Sequence, residues 1–326
     1  MIDSGLSRRR CLASLMLSGV AINGWSLANC AEQAHRPHIT AIVFSPGGKS
    51  VVVGSQAGVE VRESNPQLRL KKTIAVNMDS VHDLCFSPDG LWLVVAGGSP
   101  GEAGQVAWIH WPEGKLDHQV AVHDDVVYQV TFSPDGSHWF TASGDEVCSV
   151  FRINEPKPIT RFTEHSRAVL GVAALPDGET VVSGSRDETL RVWNAISGEP
   201  IRTLHNHSRD VMALACQPNQ TGLPMVASAS ADLTIRFWQP TIGRMVRFVK
   251  LPSTPLAITW VQAGNLLAAA CEDGKLRLID PIKVSIVESI LVSNDWLFCT
   301  AENPRQFGQM VVGGAHGGLT FHQFKL

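Results

Sequence analysis

Charged residues are scarce in this chain. Asp, Glu, Lys and Arg make up 17% of its 326 residues, against about 25% in an average soluble protein. The 27 basic residues are outnumbered by 30 acidic ones. Because proteins that bind nucleic acid gain affinity from a basic surface, this composition predicts that nucleic acid is not a partner.

Several enzyme and cofactor motifs are also missing. The sequence contains no Cys-x-x-Cys-His for covalent haem, no His-Glu-x-x-His zinc motif and no Gly-x-x-x-x-Gly-Lys-Ser/Thr phosphate loop. Its densest polar triplet, His123-Asp124-Asp125, supplies too few ligands for a metal. We interpret the triplet as a solvated loop. We therefore expect no catalytic residues, no metal and no cofactor.

Residues 1–28 have the pattern of an export signal. Arg8-Arg9-Arg10 precedes a short apolar stretch from Leu12 to Ile22, and the small residues Ser26 and Ala28 stand where a signal peptidase requires them. The stretch is about half of the ~20 residues that a membrane-spanning helix needs. We predict a signal peptide over 1–28, no membrane span, and a location in the bacterial periplasm or outside the cell.

The export route is left open by these residues. Ser7 to Leu12, with its paired arginines, resembles the twin-arginine signal that exports folded proteins, and a Sec signal fits as well. Leu27-Ala28-Asn29-Cys30 resembles a lipoprotein cleavage box, which makes lipidation of Cys30 an alternative. The other cysteines beyond the signal lie in different apolar runs, and we expect small buried residues there, not disulfides.

A turn sequence recurs along the rest of the chain. It occurs as Phe44–Gly48, Phe86–Gly90 and Phe132–Gly136, in altered form around Pro176 and Pro218, and again near 262–264 and 303–304. Each copy contains four short runs of alternating apolar residues bounded by Gly, Pro, Asp or Asn, which is the pattern of β-strands. Seven repeats of four strands predict an all-β, seven-bladed β-propeller over residues 29–326.

These repeats resemble WD40 repeats. The resemblance implies a buried His–Ser/Thr–Asp–Trp network in each well-kept repeat. Two complete sets are found, namely His165, Ser183, Asp187 and Trp193, and His207, Ser228, Asp232 and Trp238. The third repeat has His123, Thr141 and Asp145, with Phe151 in the tryptophan position. Repeats 1, 2, 6 and 7 are degenerate; Ala57 and His316 stand in the aspartate position, for example.

The end of the chain predicts how the ring closes. Phe321 to Phe324 belong to the third strand of the last repeat, so the fourth strand must come from the N-terminus. His35 lies eleven residues before Pro46, the offset of the other network histidines from their prolines. We therefore predict a closing strand at about Asn29–Gln33.

The resemblance also implies one binding face, called here the top face, formed by the loops before each first strand and the turns between second and third strands. Carried over by position, it includes the following residues: His82, Tyr128, Leu170, Arg186, Asp210, Met212, Trp296 and Phe298. It also includes His38, Thr40, Ser80, Val126, Ala168, Thr254 and Leu256. Exposed aromatic, Met and Arg side chains dominate binding hot spots. The inserted turn Ser99–Gly104 is expected to extend onto this face beside His82.

These observations predict a non-catalytic scaffold that is monomeric on its own and binds a partner protein through the top face. One alternative is a propeller enzyme such as a lactonase-like hydrolase with a metal in the central channel, for which His38, His82, Asp210 and Glu272 are the available polar groups. Another is a small-ligand or glycan binder using the channel mouth, with Trp296, Tyr128 and His82.

Overall fold

The computed structural model describes residues 36–153, 155, 157–218 and 222–324. Within these residues the chain forms 27 β-strands and three single turns of 3-10 helix. The predicted signal peptide over 1–28, the alternative lipidation site Cys30 and the predicted closing strand Asn29–Gln33 lie outside the described residues.

The strands form seven antiparallel sheets in sequence order, called here blades 1 to 7. Blade 1 contains β1 to β4: Ile39–Phe44, Ser50–Ser55, Gly58–Glu63 and Leu70–Ile74. Blade 2 contains β5 to β8: Ser80–Phe86, Trp92–Ser99, Ala103–His110 and Lys115–His123. Blade 3 contains β9 to β12: Val127–Phe132, His138–Ser143, Cys148–Arg152 and Thr160–Phe162. Blade 4 contains β13 to β16: Val169–Ala174, Thr180–Ser185, Leu190–Asn194 and Pro200–Leu204.

The remaining blades follow the same order. Blade 5 contains β17 to β20: Val211–Cys216, Val226–Ser230, Thr234–Gln239 and Arg244–Lys250. Blade 6 contains β21 to β24: Pro255–Val261, Leu266–Cys271, Lys275–Asp280 and Ser285–Leu291. Blade 7 has three described strands, β25 to β27: Leu297–Glu302, Gln309–Gly314 and Leu319–Gln323.

The first strands of the blades form a closed inner ring. Each contacts the first strand of the next blade, and β25 of blade 7 returns to contact β1 of blade 1. Blades stack through apolar clusters, one of which joins Val52 and Val61 of blade 1 to Leu84 and Val95 of blade 2. Burial of these facing surfaces is the main stabilising term. The predicted seven-bladed β-propeller is confirmed.

The backbone conformation of the turn explains why the same turn sequence recurs. In blade 2 the Ser87 hydroxyl and the Leu91 amide both donate to Asp89 Oδ1, and Gly90 follows in the left-handed region at φ 72°. Gly48, Gly136 and Gly178 have φ values of 69°, 71° and 74° at the same position. Glycine adopts this conformation without the strain that a Cβ adds, so the repeat keeps it.

Buried polar networks tie the strands of blades 3, 4 and 5. In blade 4, His165 Nδ1 lies 2.7 Å from Asp187 and Nε2 lies 2.8 Å from the Ser183 hydroxyl, which also accepts a hydrogen bond from the Trp193 indole at 3.2 Å. The equivalent set in blade 5, with the same bonding, is His207, Asp232, Ser228 and Trp238.

Blade 3 has part of the same network. His123 lies 2.8 Å from Asp145 and 2.7 Å from Thr141. Phe151 occupies the tryptophan position and stacks on Trp139, with ring centroids 3.9 Å apart. Phe151 therefore supplies an aromatic ring at the tryptophan position, but it has no indole N–H to donate a hydrogen bond to the network.

Blade 6 replaces the histidine network with an arginine. Leu251 stands at the histidine position and Ala269 at the serine position. Arg277, 1% exposed, reaches Asp273 with two hydrogen bonds of 2.8 and 2.5 Å. The turn aspartate therefore keeps a buried charged partner although the sequence pattern is lost.

All five cysteines among the described residues are free, and Cys148, Cys271 and Cys299 are buried. Burial raises the pKa of the Cys271 thiol to about 11, so this thiol is protonated and unreactive at neutral pH.

Candidate functional site

Every inner strand of the ring carries a β-bulge close to its start. In each pairing of a first strand with the second strand, one residue of the first strand is skipped. The seven skipped residues are Thr40, His82, Tyr128, Leu170, Met212, Leu256 and Phe298. A bulge redirects the side chain of the extra residue and is common beside binding sites. All seven of these side chains line a single cavity of about 390 Å³ at the top mouth of the channel.

This cavity, called here the mouth cavity, gathers most of the predicted partner-binding residues. Seven of the eight line it: His82, Tyr128, Leu170, Arg186, Met212, Trp296 and Phe298. Asp210 is not part of the lining. It lies at the rim, where its carboxylate is 3.9 Å from Arg186. Residues that are far apart in sequence are thus brought to one site.

The bulge residues divide the mouth into two halves of different chemistry. Leu170, Met212 and Leu256, from blades 4, 5 and 6, form an aliphatic half. Phe298 and Tyr128, from blades 7 and 3, lie on the other half, together with the bulge residues of blades 1 and 2. A ligand that fits this mouth meets a flexible apolar wall on one side and aromatic or polar groups on the other.

One aromatic group centres on Tyr128, the only tyrosine of the chain. Its ring packs edge-on against His82, with centroids 5.3 Å apart, and the Arg186 guanidinium lies 5.9 Å from its centroid. Burial lowers the pKa of His82, whose Nε2 is 2.9 Å from the Ser80 hydroxyl, so the imidazole is neutral at pH 7. Arg186 is therefore the fixed positive charge of the mouth cavity.

A second aromatic group surrounds Phe298. His38 packs on it at 5.5 Å and Trp296 at 6.1 Å, while His316 lies 5.5 Å from His38. Trp296 is 52% exposed, which is unusual for a side chain of this size. Large exposed aromatics at the edge of a cavity are typical anchor points for a partner.

The deeper wall contains two polar groups, Asp83 and Gln129, that were not among the predicted partner-binding residues. Asp83 accepts hydrogen bonds from the Leu84 and Val130 amides, at 2.9 Å each, and burial raises its pKa to about 7. Gln129 accepts one from the Val172 amide at 2.7 Å. The bonds from Val130 and Val172 each join a blade to the next one, whereas the bond from Leu84 lies within blade 2. Asp83 and Gln129 each follow a bulge residue directly in the sequence, and this position is the feature by which they could have been found.

Two positions expected on the top face do not reach its surface. Val126 is 1% exposed and Ser80 is 8% exposed. The Ser80 hydroxyl donates to the Gly98 carbonyl oxygen at 3.1 Å. A Cβ on Gly97 would collide with the Ser80 backbone. The prediction of exposure was wrong there because the long hairpin of blade 2 packs over the strand start.

The inserted turn of blade 2 lengthens β6 and β7 into a hairpin. Ser99 pairs with Ala103 across it, the Ser99 hydroxyl donates to Asp79 at 2.6 Å, and the Gly101 amide donates to Asp125 at 2.8 Å. Asp79 and Asp125 precede the first strands of blades 2 and 3. The hairpin thus lies on the top face and is held at both sides.

This hairpin also contains a Gly-x-Ser-x-Gly sequence, Gly97 to Gly101. In hydrolases such a serine stands on a turn between a strand and a helix, beside a histidine. Here Ser99 ends a strand in a β-hairpin and its hydroxyl bonds to a carboxylate. The geometry of a nucleophilic serine is therefore not formed.

The polar triplet His123-Asp124-Asp125 serves the backbone of blades 2 and 3. His123 belongs to the buried network described above, Asp124 donates its amide to Asp145, and Asp125 holds the hairpin. In the described part of the chain, no group of three or more His, Cys, Asp or Glu side chains is placed to hold a metal ion. No helix among the described residues has the length and apolarity to cross a membrane.

Comparison with known families agrees with the fold. The WD domain, G-beta repeat family matches four consecutive segments, residues 69–100, 114–152, 156–194 and 198–239. The chain belongs to the WD40-repeat family. No curated protein matches the chain at a significant level.

The matched segments of this WD40 propeller span blades 2 to 5, where the buried histidine networks lie. Blades 6 and 7 and the first three strands of blade 1 lie outside the matched segments, and these blades have the same antiparallel sheet and the bulge. Trp296 and Phe298, on blade 7, lie outside the matched segments, whereas His82, Tyr128 and Met212 lie within them.

Proposed function

We propose that this WD40 propeller is a non-catalytic scaffold, exported to the bacterial periplasm, which binds a partner protein through its top face. The observation that carries the proposal is the convergence of all seven bulge residues on the mouth cavity, with Trp296 exposed beside it. Aromatic, Met and Arg side chains around a central depression are the composition of a protein-binding hot spot.

The chemistry of the mouth cavity supports binding more than catalysis. Most of its wall is apolar, His82 is neutral at pH 7, and Arg186 stacks on Tyr128 beside Asp210. We expect the partner to insert an apolar side chain against the aliphatic half and to place a hydrogen-bond acceptor near Arg186. An exposed pair such as Arg186–Asp210 contributes little stability, so the guanidinium is free to exchange partners.

A pull-down from periplasmic extract tests the proposal. The bait is the mature protein, and the variant carries Tyr128→Ala, Trp296→Ala and Phe298→Ala. The matched control carries Leu91→Ala, Phe248→Ala and Phe307→Ala, three side chains that are 59%, 48% and 59% exposed and lie outside the mouth cavity. A partner retained by the wild type and the control but lost by the folded mouth variant supports the scaffold. Equal retention by all three places the interface elsewhere.

Export is tested separately. Changing Arg8 and Arg9 to Lys is expected to hold the precursor in the cytoplasm if the twin-arginine route is used. Fractionation of a bacterial host measures how much of the protein is in the cytoplasm and in the periplasm, with a Sec-dependent protein as a control. Release into the periplasm that is unaffected by the change points to the Sec route, and retention of the wild type in the cytoplasm contradicts export.

A small ligand in the same cavity is the second candidate. The volume of about 390 Å³ lies within the range of small-molecule pockets. Calorimetric titration with a panel of sugars, using the mouth variant as the control, distinguishes it from a protein partner. A sugar that binds the wild type and fails to bind the variant favours the ligand site.

A further inference from the structure

A second cavity, of about 290 Å³, lies between blades 2 and 3 and takes no part in the proposed function. It is found where β6 and β10 begin and β7 and β11 end, at the side of the ring opposite the top face. Its lining residues are Trp92, Trp108, Asp117, His118, Val120, Trp139 and Glu155.

The inner wall of this cavity is made of indole rings. Trp108 stands at 78° to Trp92 and at 79° to Trp139, with ring centroids 5.8 and 5.6 Å apart. Both pairs are edge-to-face contacts, while Trp92 lies against His110 at 4.1 Å and Trp139 stacks on Phe151 at 3.9 Å, so the cavity meets the remaining parts of these rings. Trp108 and Trp139 are 5% and 2% exposed and form the back of the cavity, while the half-buried Trp92 forms its side. Three of the nine tryptophans of the chain are thus committed to one small cavity.

The rim of this cavity is acidic. Asp117 and Glu155 both line it, and no lysine or arginine does. Hydrogen bonds from His118 at 2.8 Å and from His110 hold Asp117 in place and lower the pKa of its carboxyl, so it is ionised at neutral pH. Arg152 lies 3.9 Å from Glu155, in an exposed pair that binds weakly.

Indole rings and carboxylates together favour one class of ligand. The face of an indole attracts an organic cation through its quadrupole, and the attraction increases when water is excluded. A carboxylate at the rim adds Coulomb attraction for the same charge. An anion would be repelled by the rim, and a strongly hydrated metal ion would find too few oxygen ligands.

We propose that this cavity binds the quaternary ammonium head of an organic cation, enclosed by Trp92, Trp108 and Trp139 and attracted by Asp117 and Glu155. The head group comes either from a free solute such as choline or from a trimethylated lysine on another protein. The site is independent of the mouth cavity, since no residue lines both.

The first measurement is calorimetric titration of the mature protein with choline and with its uncharged carbon isostere, 3,3-dimethylbutan-1-ol. The two molecules have the same shape, so the difference between them reports recognition of the charge. We expect choline to bind at least about tenfold tighter than the isostere. Equal binding of the two, or binding of neither choline nor a trimethyllysine peptide, overturns the proposal.

Variants then assign the binding to this cavity. Trp92→Ala and Asp117→Asn alter half-buried and exposed rim positions, and each is expected to weaken choline binding about tenfold or more. Trp108 and Trp139 belong to the core, so they are left unchanged. Trp296→Ala, in the mouth cavity, is the matched control and is expected to bind choline like the wild type. Binding that survives both rim substitutions contradicts the proposal.

A peptide carrying trimethyllysine identifies the source of the head group. Tighter binding of this peptide than of choline and of the unmethylated peptide indicates a protein-borne cation, and tighter binding of choline indicates a free solute. The partner pull-down tests the mouth cavity, which is a different site. If the mouth variant loses the partner but still binds choline, the two proposals are shown to concern separate sites.

Discussion

In blades 4 and 5 a buried serine connects the histidine to the tryptophan, and the histidine also bonds to the aspartate. Burial raises the pKa of Asp187, but the hydrogen bonds from His165 and Thr189 together with the charge interaction with His165 outweigh it and hold that pKa well below its usual value. An ionised carboxylate only accepts hydrogen bonds, so His165 Nδ1 carries the proton and Nε2 accepts from the Ser183 hydroxyl. The same hydroxyl oxygen accepts from the Trp193 indole. Each serine thus satisfies two buried groups at once.

Ser183→Ala is therefore expected to lower the free energy of unfolding by about 2 kcal/mol, because it leaves a buried imidazole nitrogen and a buried indole N–H without partners. Urea denaturation, read as a change in midpoint at constant slope, measures it. Ser289→Ala, at an exposed position of β24, is the control and is expected to change stability by less than about 0.5 kcal/mol. A loss at Ser183 as small as that of the control would contradict the assigned hydrogen bonds.

Asp83 gives the propeller a pH dependence near neutrality. Its pKa in the folded protein is about 7, raised by burial, against about 3.9 in an unfolded chain. Between these values the folded state binds more protons than the unfolded state, so stability falls as pH rises from about 4 to about 7. Asp83→Asn is expected to flatten that slope, measured by urea denaturation at a series of pH values. Glu164→Gln, at an exposed position, is expected to keep the wild-type slope.

At the scale of elements, the hairpin of β6 and β7 is held to the top face by two carboxylates, Asp79 and Asp125. Its turn, Pro100 to Glu102, is exposed, which makes it a site for proteolysis once it is released. The hydrogen bonds therefore protect the turn as long as both carboxylates are present.

The double change Asp79→Ala and Asp125→Ala is expected to speed cleavage after Glu102 by a glutamate-specific protease several-fold. Mass spectrometry of timed digests locates the cut. Asp124→Ala, whose carboxylate makes no hydrogen bond to the hairpin, is the control. Cleavage at the wild-type rate in the double variant would show that strand pairing alone holds the turn.

The elements also show what the sequence could predict. Turn spacing and alternating apolar runs were sufficient for seven sheets, because the Asp-Gly turns and strand periodicity are local signals. The bulges were not predictable in this way, since the skipped positions hold residues as different as Thr40, Tyr128 and Leu256. Burial of Ser80 depends on a hairpin from elsewhere in the sheet. To predict that Arg277 replaces the histidine network, one would have to know which side chains meet across the sheet.

At the scale of the whole molecule, closure of the ring rests on the contact of β25 with β1. Among the described strands, β27 of blade 7 pairs only with β26, whereas the third strand of every other blade has a fourth strand beside it. The predicted closing strand at about Asn29–Gln33 would supply that neighbour, and it stays a prediction.

A deletion series tests the closing strand. Removing residues 1–28 is expected to leave the midpoint of thermal unfolding unchanged, because the deletion ends before the predicted strand. Removing residues 1–35 is expected to lower the midpoint by about 5 °C or more, through loss of strand pairing in the last blade. Differential scanning calorimetry of the two purified proteins compares them. Identical midpoints would place no stabilising strand in residues 29–35.

The bulges of the inner ring affect how the binding surface at the channel mouth can evolve. Because the backbone path, and not the side chain, places each of the seven residues at the channel mouth, the positions tolerate Thr, His, Tyr, Leu, Met and Phe alike. Thr40 is the exception, since its hydroxyl donates to the Val81 carbonyl oxygen of the next blade. A library randomised at the other six codons would therefore explore new recognition while it keeps this interblade hydrogen bond.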